Sequence, residues 1–494
     1  MTDISQYQDN KDYSGHFEND DVGTIEVPIR DQYEPAFIRK TTRKLDFTLL
    51  PILTLMYLCS SLDKSNLGNA KTLGMINDIG GDTTGDKYAL LNALYYVSYA
   101  PFMVPLALLG KRTRMAKLLS ICAICWGISA TCFAAVRNFS GAYACRFLIG
   151  LGEAGFVPLI QVYLSRFYTR RQLGTRVGIW LAMAPMGGFF NGIIAYGVAF
   201  IKSPHLESWQ ILFLIEGGAT FLIAIIAFIM LPEDIVRCRW LSQRQKDYLV
   251  YERSLSMAPE SNEVNWKHVK GTFIRWQQIV PVFMNMCQQI TGALFSAFLP
   301  TFLSENGFEG ANAQIATLAP YGSAAVCMII ASMISDRYRN RGWPTQFGWW
   351  LSIIAFGIYL GAPYTNRSAR IAALILGETG HYIATPLIVT WTANNAGSES
   401  RRAVAVPLAV SCAQAVAVGS GYLFPAKDKP AYQMGSAVVL GLSIAGSLFT
   451  FLYQGLIWRE NKKRDKAEGG PPASDFVAET NVYADDAPGF RYMP

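Results

Sequence analysis

Apolar residues in this chain are gathered into blocks of roughly 18 to 25, each long enough to cross the hydrocarbon core of a bilayer as α-helix. A helix that is apolar on every side must be solvated by lipid or by other helices. Twelve such helices are predicted, over about 46–66, 89–109, 116–136, 140–163, 176–200, 209–231, 279–303, 314–334, 344–362, 370–394, 403–423 and 434–458. Charged residues make up 16% of the 494, against about 25% in an ordinary soluble domain. These features exclude a disordered chain, a small disulfide scaffold and a soluble globular enzyme. The predicted fold class is an all-α integral membrane protein, twelve transmembrane helices in two six-helix halves.

The polar stretches divide the chain further. Residues 1–45 read as a disordered N-terminal tail and 46–231 as the first six-helix bundle. Residues 232–278 read as a charged connector, 279–458 as the second bundle and 459–494 as a polar C-terminal tail. No charged-then-apolar leader with a small-residue cleavage site opens the chain, so no cleaved signal is expected. With both tails on one side, and with the span-end residues Lys64, Lys117, Arg176 and Arg370 counted with the loops they adjoin, 33 of the 43 Lys and Arg fall on that side and 9 on the other, leaving Arg146 inside a span. Basic residues accumulate in cytoplasmic loops, so both termini are expected in the cytoplasm, with the plasma membrane as the expected location. The formal charge of +7 then reflects loops beside anionic lipid and gives no reason to invoke nucleic acid.

The nine cysteines form no regular framework, and eight lie in apolar blocks. Cys122 and Cys125 form a C-x-x-C inside LLSICAICWGISATCF, without a second pair or a nearby His, which reads as helix packing rather than a metal site. No metal and no cofactor are expected.

An internal repeat links the halves. Gly152-Glu153-Ala154-Gly155 lies in the fourth helix and Gly377-Glu378-Thr379-Gly380 in the tenth, the fourth of its half. Each is followed by a proline, Pro158 and Pro386, and then by a double arginine, Arg170-Arg171 and Arg401-Arg402. Similar six-helix halves are a transporter signature, with substrate handled between them near the midplane.

Several stretches carry a family resemblance. The first helix ends in Leu62-Asp63-Lys64-Ser65-Asn66-Leu67-Gly68-Asn69-Ala70, and the fourth reads RFLIGLGEAGFVPLI from Arg146. Ser335-Asp336-Arg337-Tyr338-Arg339-Asn340-Arg341, Trp391-Thr392-Ala393-Asn394-Asn395 and Phe490-Arg491-Tyr492 add to the match. On these residues the chain resembles the major facilitator superfamily, and within it the fungal anion:cation symporters similar to allantoate, nicotinate and pantothenate permeases. The resemblance implies the major facilitator fold. It also implies gating residues Asp336, Arg337 and Arg341 in the loop between helices eight and nine, paired with the start of helix eleven. One stretch departs from the pattern: loop LLGKRTRMAK (108–117) lacks the Asp that the superfamily usually keeps near its start.

An ionisable side chain at the bilayer centre costs about 2.5–3.5 kcal/mol on insertion scales, which makes each one a functional candidate. Arg146 and Glu153 are seven residues apart and so share a helix face, two turns or about 10 Å apart. Lys64 and Arg146 are expected to form a positive site for a substrate carboxylate, which the guanidinium fork suits. Glu153 is expected to carry a coupling proton, the alternative being a structural Arg146–Glu153 pair. Glu378 and His381, on one face of helix ten, are expected to form a second proton relay, or else to bond adjacent helices. Gln288 and Gln289 suit a substrate carbonyl or serve as interhelix bonds. Asn66 is placed with them in the substrate-binding set, orienting Lys64 or capping its helix.

The expected function is secondary active transport, a proton-coupled symport taking up a small organic anion such as a carboxylate, ureide or vitamin-like acid. The alternative is export or antiport of an organic acid or pathway metabolite. The energy source is the proton gradient, the partners are the anion, protons and lipid, and a monomer is expected. An enzyme is not: no Gly-x-Ser-x-Gly elbow occurs, and GGDTTGDK (80–87) lacks the Gly-Lys adjacency of a phosphate loop.

Overall fold

The computed structural model describes residues 33–168, 170–256, 266–308, 311–425, 428, 432–472 and 483–494. Of the expected disordered tail 1–45, residues 1–32 lie outside the described residues, whereas 35–45 are helical and form the start of the first long helix. The apolar blocks all form helices, each of which satisfies its backbone hydrogen bonds within its own segment, as lipid requires of anything but a closed barrel. In chain order these are α1 (Pro35–Thr72), α2 (Met75–Asp78), α3 (Asp86–Arg112), α4 (Met115–Phe133), α5 (Phe139–Glu153), α6 (Phe156–Ser165), α7 (Arg170–Leu181), α8 (Met183–Val198) and α9 (Ser208–Met230). There follow α10 (Gln243–Ser256), α11 (Trp266–Thr272), α12 (Trp276–Glu305), α13 (Ala311–Ala316), α14 (Leu318–Tyr338), α15 (Gly342–Gly361), α16 (Arg367–Asn394), α17 (Glu399–Ala417) and α18 (Gln433–Glu468). Among the described residues ten helical segments are long and apolar enough to cross a membrane. The 20 residues of α15 and 19 of α17 complete twelve membrane-length segments.

Three segments are broken in two, and prolines account for the breaks. Pro158, Pro185 and Pro320 each stand third in the second piece, in α6, α8 and α14. Proline has no N–H for the carbonyl four residues back, and its ring crowds that carbonyl, so the helix parts one turn earlier. The sequence reading took 140–163 and 176–200 as continuous. It also stopped the last helix at 458, whereas α18 runs on to Glu468 into its charged extension.

Two sets of helices result. In the first, α1 packs on α8 and α9, α3 on α5, and α4 on α5 and α9. In the second, α12 packs on α16, α17 and α18, and α15 on α16 and α18. Between the sets α1 meets α12, α3 meets α17, and α8 meets α14. The last two contacts are equivalent when the sets are exchanged, the second span of one against the fifth span of the other. Large apolar side chains such as Leu222, Val326 and Leu448 remain exposed on the outside, as a lipid-facing belt requires.

The two ends of the bundle differ. One end carries the start of α1, the connector helices α10 and α11, and the end of α18. We call it the connector face. Hydrogen bonds between the sets gather toward the opposite face: Tyr88 to the Ala297 carbonyl at 2.9 Å, Gln314 to Thr72 at 2.9 Å and Asn92 to Ser420 at 3.3 Å. Ser411 donates to the Ala100 carbonyl at 2.5 Å, about halfway along α3. Lys71 closes the seam with its ammonium 4.2 Å from the Tyr88 ring centre and 5.0 Å from that of Phe298.

Candidate functional site

The glycines of the repeat bring their helices close enough to bury a carboxylate. A methyl group on Gly152 would lie 2.9 Å from Cβ of Trp126 in α4, and one on Gly380 would lie 2.6 Å from the Gly348 carbonyl in α15. Between each pair of glycines stands a glutamate, Glu153 or Glu378, each almost fully buried.

In the first set Oε2 of Glu153 accepts hydrogen bonds from Ser60 at 2.9 Å and from the Tyr95 hydroxyl at 2.8 Å. Nζ of Lys64 lies 3.7 Å from the same oxygen. The Lys64 side chain is 26% exposed against 1% for Glu153, so the ammonium is the more accessible member of the pair. It also lies 5.4 Å from the centre of the Tyr99 ring. Arg146 is buried on the same helix as Glu153, seven residues nearer the opposite face: Nη1 donates to the Asp63 carbonyl at 3.3 Å and the guanidinium carbon is 5.9 Å from the Tyr95 ring centre. The structure thus brings Lys64, Arg146 and Glu153 together, and it gives the Glu153 ion pair to Lys64 rather than to Arg146.

Two acids join this cluster that sequence reasoning did not single out. Asp63 and Glu216 are each 2% exposed and neither has an ion-pair partner within 4 Å among the described residues; the Trp126 indole faces Asp63 and the Asn66 amide faces Glu216. Asp63 sits one residue before Lys64 in the first-helix motif, and Glu216 interrupts the apolar run ILFLIEGGATFL of α9. A lone acid in such a block is the signal that would have found it. The cluster therefore holds three buried carboxylates, Asp63, Glu153 and Glu216, with Asp63 in electrostatic reach of the other two, together with buried Arg146 and the partly exposed Lys64. Asn66 is fully buried and its side-chain oxygen accepts from Asn191 at 3.3 Å, which turns it into the first set of helices.

The second set builds its own polar group. Nε2 of Gln288 lies 3.1 Å from Nδ1 of His381 and donates to the His381 carbonyl at 2.8 Å. His381 fits against α12 because Gly292 faces it; a methyl there would lie 2.5 Å from the imidazole. Glu378 has Oε2 buried without a hydrogen-bond partner. Gln289 points elsewhere, donating to Gln414 of α17 at 3.0 Å. Asp336 and Arg341 form an ion pair at 2.6 Å at the connector face, remote from both glutamates, and Arg337 beside them is exposed. The start of α17, implied above as their partner, instead holds Arg401 against Asp485.

Twelve membrane-length helices in two equivalent sets, with ionisable groups buried in the interior, define a membrane transporter of two-half architecture. Residues 53–421 match the family model described as Major Facilitator Superfamily, and the chain belongs to that superfamily. An uncharacterized transporter of Schizosaccharomyces pombe is 33% identical over 479 residues, covering 96% of this chain and 93% of that protein. The major facilitator-type transporter hxnP of Emericella nidulans is 29% identical over 483 residues, 96% of each chain. The solved D-xylose–proton symporter shares the fold at a TM-score of 0.63 and 14% identity, over 82% of this chain and 97% of that one.

Proposed function

We propose that this transporter is a proton-coupled symporter that takes up a small organic anion, of the kind the fungal anion:cation symporters carry. The observation that carries the reading is the Lys64–Glu153 pair at 3.7 Å, in which the cation is accessible and the carboxylate is not. An incoming carboxylate competes with Glu153 for the ammonium. As Lys64 turns to the substrate, Glu153 loses its counter-ion and takes up a proton, since an unpaired charge there is costly. Anion and proton are then carried together, and neither is bound stably alone. Arg146 adds a second, buried positive charge to the site, from the side of the opposite face. Glu378, with no salt-bridge partner among the described residues, serves as a second proton-binding group beside His381.

In this reading the connector face, richer in Lys and Arg, is cytoplasmic, both termini are intracellular and the membrane is the plasma membrane. The seam near the opposite face then closes the outer side, leaving the arrangement open inward. No cofactor beyond the proton gradient is invoked, and the protein acts as a monomer.

Uptake of a panel of labelled organic acids at pH 5 and pH 7, in cells lacking endogenous permeases, tests the proposal. One acid is expected to accumulate faster at pH 5, and a protonophore to collapse its accumulation. Uptake that is equal at both pH values and indifferent to the protonophore would overturn it.

A further inference from the structure

Residues 483–494 form a strap across the connector face of the second set. Among the described residues the strap's partners outside itself lie at or beyond Arg275. Its acidic end binds the start of two helices. Asp485, fully buried, is ion-paired to Arg401 of α17, lies 3.5 Å from Nη1 of Arg275 at the head of α12, and accepts a hydrogen bond from Tyr492 at 3.2 Å. Asp486 pairs with the same Arg275. Its other end binds the finish of α16: Trp391 Nε1 donates to the Met493 carbonyl at 2.8 Å, and the Met493 N–H donates to Asn395 at 2.8 Å. The Tyr492 ring is buried in one apolar cluster with Trp391, Tyr453 and Ile457.

The strap also reaches the cap of α15, where the Arg341 N–H donates to the Pro494 carbonyl at 2.8 Å. The three helices α12, α16 and α17 share a feature. Each contains a proline within four to nine residues of the strap's contacts: Pro281 in α12, Pro386 in α16 and Pro407 in α17. A proline removes one backbone hydrogen bond and weakens the helix against bending at that point. The strap binds on the connector-face side of each one, at Arg275 and Gln277, at Trp391 and Asn395, and at Arg401. Its own base is the helix without an internal proline, α18. There Asn461 exchanges two hydrogen bonds with the Tyr492 backbone at 2.8 and 3.0 Å, and Arg464 donates to the Asp485 and Phe490 carbonyls at 2.6 and 3.2 Å.

We propose that the 483–494 strap is a clasp that ties the proline-hinged tips of α12, α16 and α17 to the straight α18, holding the connector face open and thereby favouring the arrangement in which the opposite face is closed. Closing the connector face brings the tips of the second set toward the first set. With the strap docked they move only as one body with α18. With it released each tip bends at its own proline, and the connector face closes at less cost. The inference rests on reading the two sets as halves that rock against one another, and needs neither the anion nor the proton of the proposed function.

The reporter is Ser420→Cys, a buried position on the seam near the opposite face. Its labelling by a membrane-impermeant maleimide is measured without substrate, in the full chain, against the same chain without the reporter. Two strap variants are compared, Tyr492→Phe and the paired Asp485→Asn with Arg401→Gln, the second removing both charges so that neither is left buried alone. Proteolysis at the strap reports its release, and size-exclusion profile and melting temperature report the fold. Labelling at least threefold faster in a folded, strap-released variant is the expected result. Unchanged or slower labelling in such a variant overturns the proposal. Should the paired variant not fold, Tyr492→Phe, which removes one hydroxyl from the clasp, decides by the same criterion. If that variant folds with its strap still docked and labels faster, the clasp is overturned as well. Failure of labelled-acid uptake would sink the symport reading and leave this result standing.

Discussion

Lys64 of α1 and Glu153 of α5 meet at 3.7 Å, with the lysine side chain about a quarter exposed and the glutamate buried. Residues 89 positions apart in the chain are thus neighbours at the point where the first helix signature and the Gly-Glu-Ala-Gly motif converge. The pair gives the site an accessible cation whose counter-ion is internal, so a ligand anion that takes the cation over leaves Glu153 buried without a counter-ion unless it takes up a proton. Charge reversal follows the same logic. Lys64→Glu is expected to abolish accumulation of the transported acid, at least a tenfold loss in initial rate, or about 1.4 kcal/mol. Lys64→Arg is expected to retain part of it. Initial rates at equal surface expression check both.

The close approach of α15 and α16 makes a steric prediction. Gly380→Ala would place a methyl 2.6 Å from the Gly348 carbonyl and from the Ser352 hydroxyl, and 2.9 Å from the Ser352 amide, so backbone has to move. Overpacking of this kind costs about 1–3 kcal/mol, and a lower melting temperature in detergent is expected. Gly357→Ala, also in α15, meets nothing within 4 Å and is expected to leave the melting temperature unchanged or raise it.

Asn138-Phe139-Ser140 and Asn366-Arg367-Ser368 fit the glycosylation pattern, yet both asparagines are helix N-caps. Asn138 accepts from the Gly141 N–H at 2.8 Å and Asn366 from the Ala369 N–H at 3.2 Å. A side chain folded back on its own helix in so short a loop is a poor acceptor. No mobility shift on glycosidase treatment is expected. Asn138→Ala is expected to destabilise the protein by about 1 kcal/mol through the lost cap, read as a lower melting temperature.

Docking of the strap is expected to be insensitive to pH between 5 and 7.5. The hydrogen bonds and charge of Arg275 hold Asp486 below the ordinary aspartate value of 3.8. A carboxylate whose proton affinity falls on docking stabilises the docked form above its undocked value, and this is lost only as pH drops through the docked value. Release is therefore expected below about pH 4, as proteolysis at the strap across a pH series would record. A release midpoint near pH 6 would show that another group controls docking.

The membrane helices were legible because their signal is local: length, apolarity and the bias of basic residues. The breaks before Phe156, Met183 and Leu318 were less so, since a proline in a membrane helix can be absorbed as a kink. Glu153 was legible for the same reason that Glu216 should have been, an acid in an apolar block. Their partners were not. That Lys64, and not Arg146 on the same helix face, lies against Glu153 depends on how α1 and α5 pack, and sequence spacing measures only positions along one helix. Asp485 was hidden more completely. In the sequence it is one acid in a polar tail, and only the fold brings Arg275 and Arg401 around it.

In the proposed cycle Glu153 gives up Lys64 to the substrate and takes a proton in its place. Proton movement into vesicles reconstituted with purified protein, recorded by an internal pH dye on adding the transported acid outside without a pre-formed gradient, tests it most directly. The wild type is expected to acidify the lumen beyond the level set by passive acid entry into empty vesicles. Glu153→Gln is expected to abolish that excess while still exchanging labelled for unlabelled substrate. Substrate-driven acidification of wild-type size in the Gln variant would contradict the account.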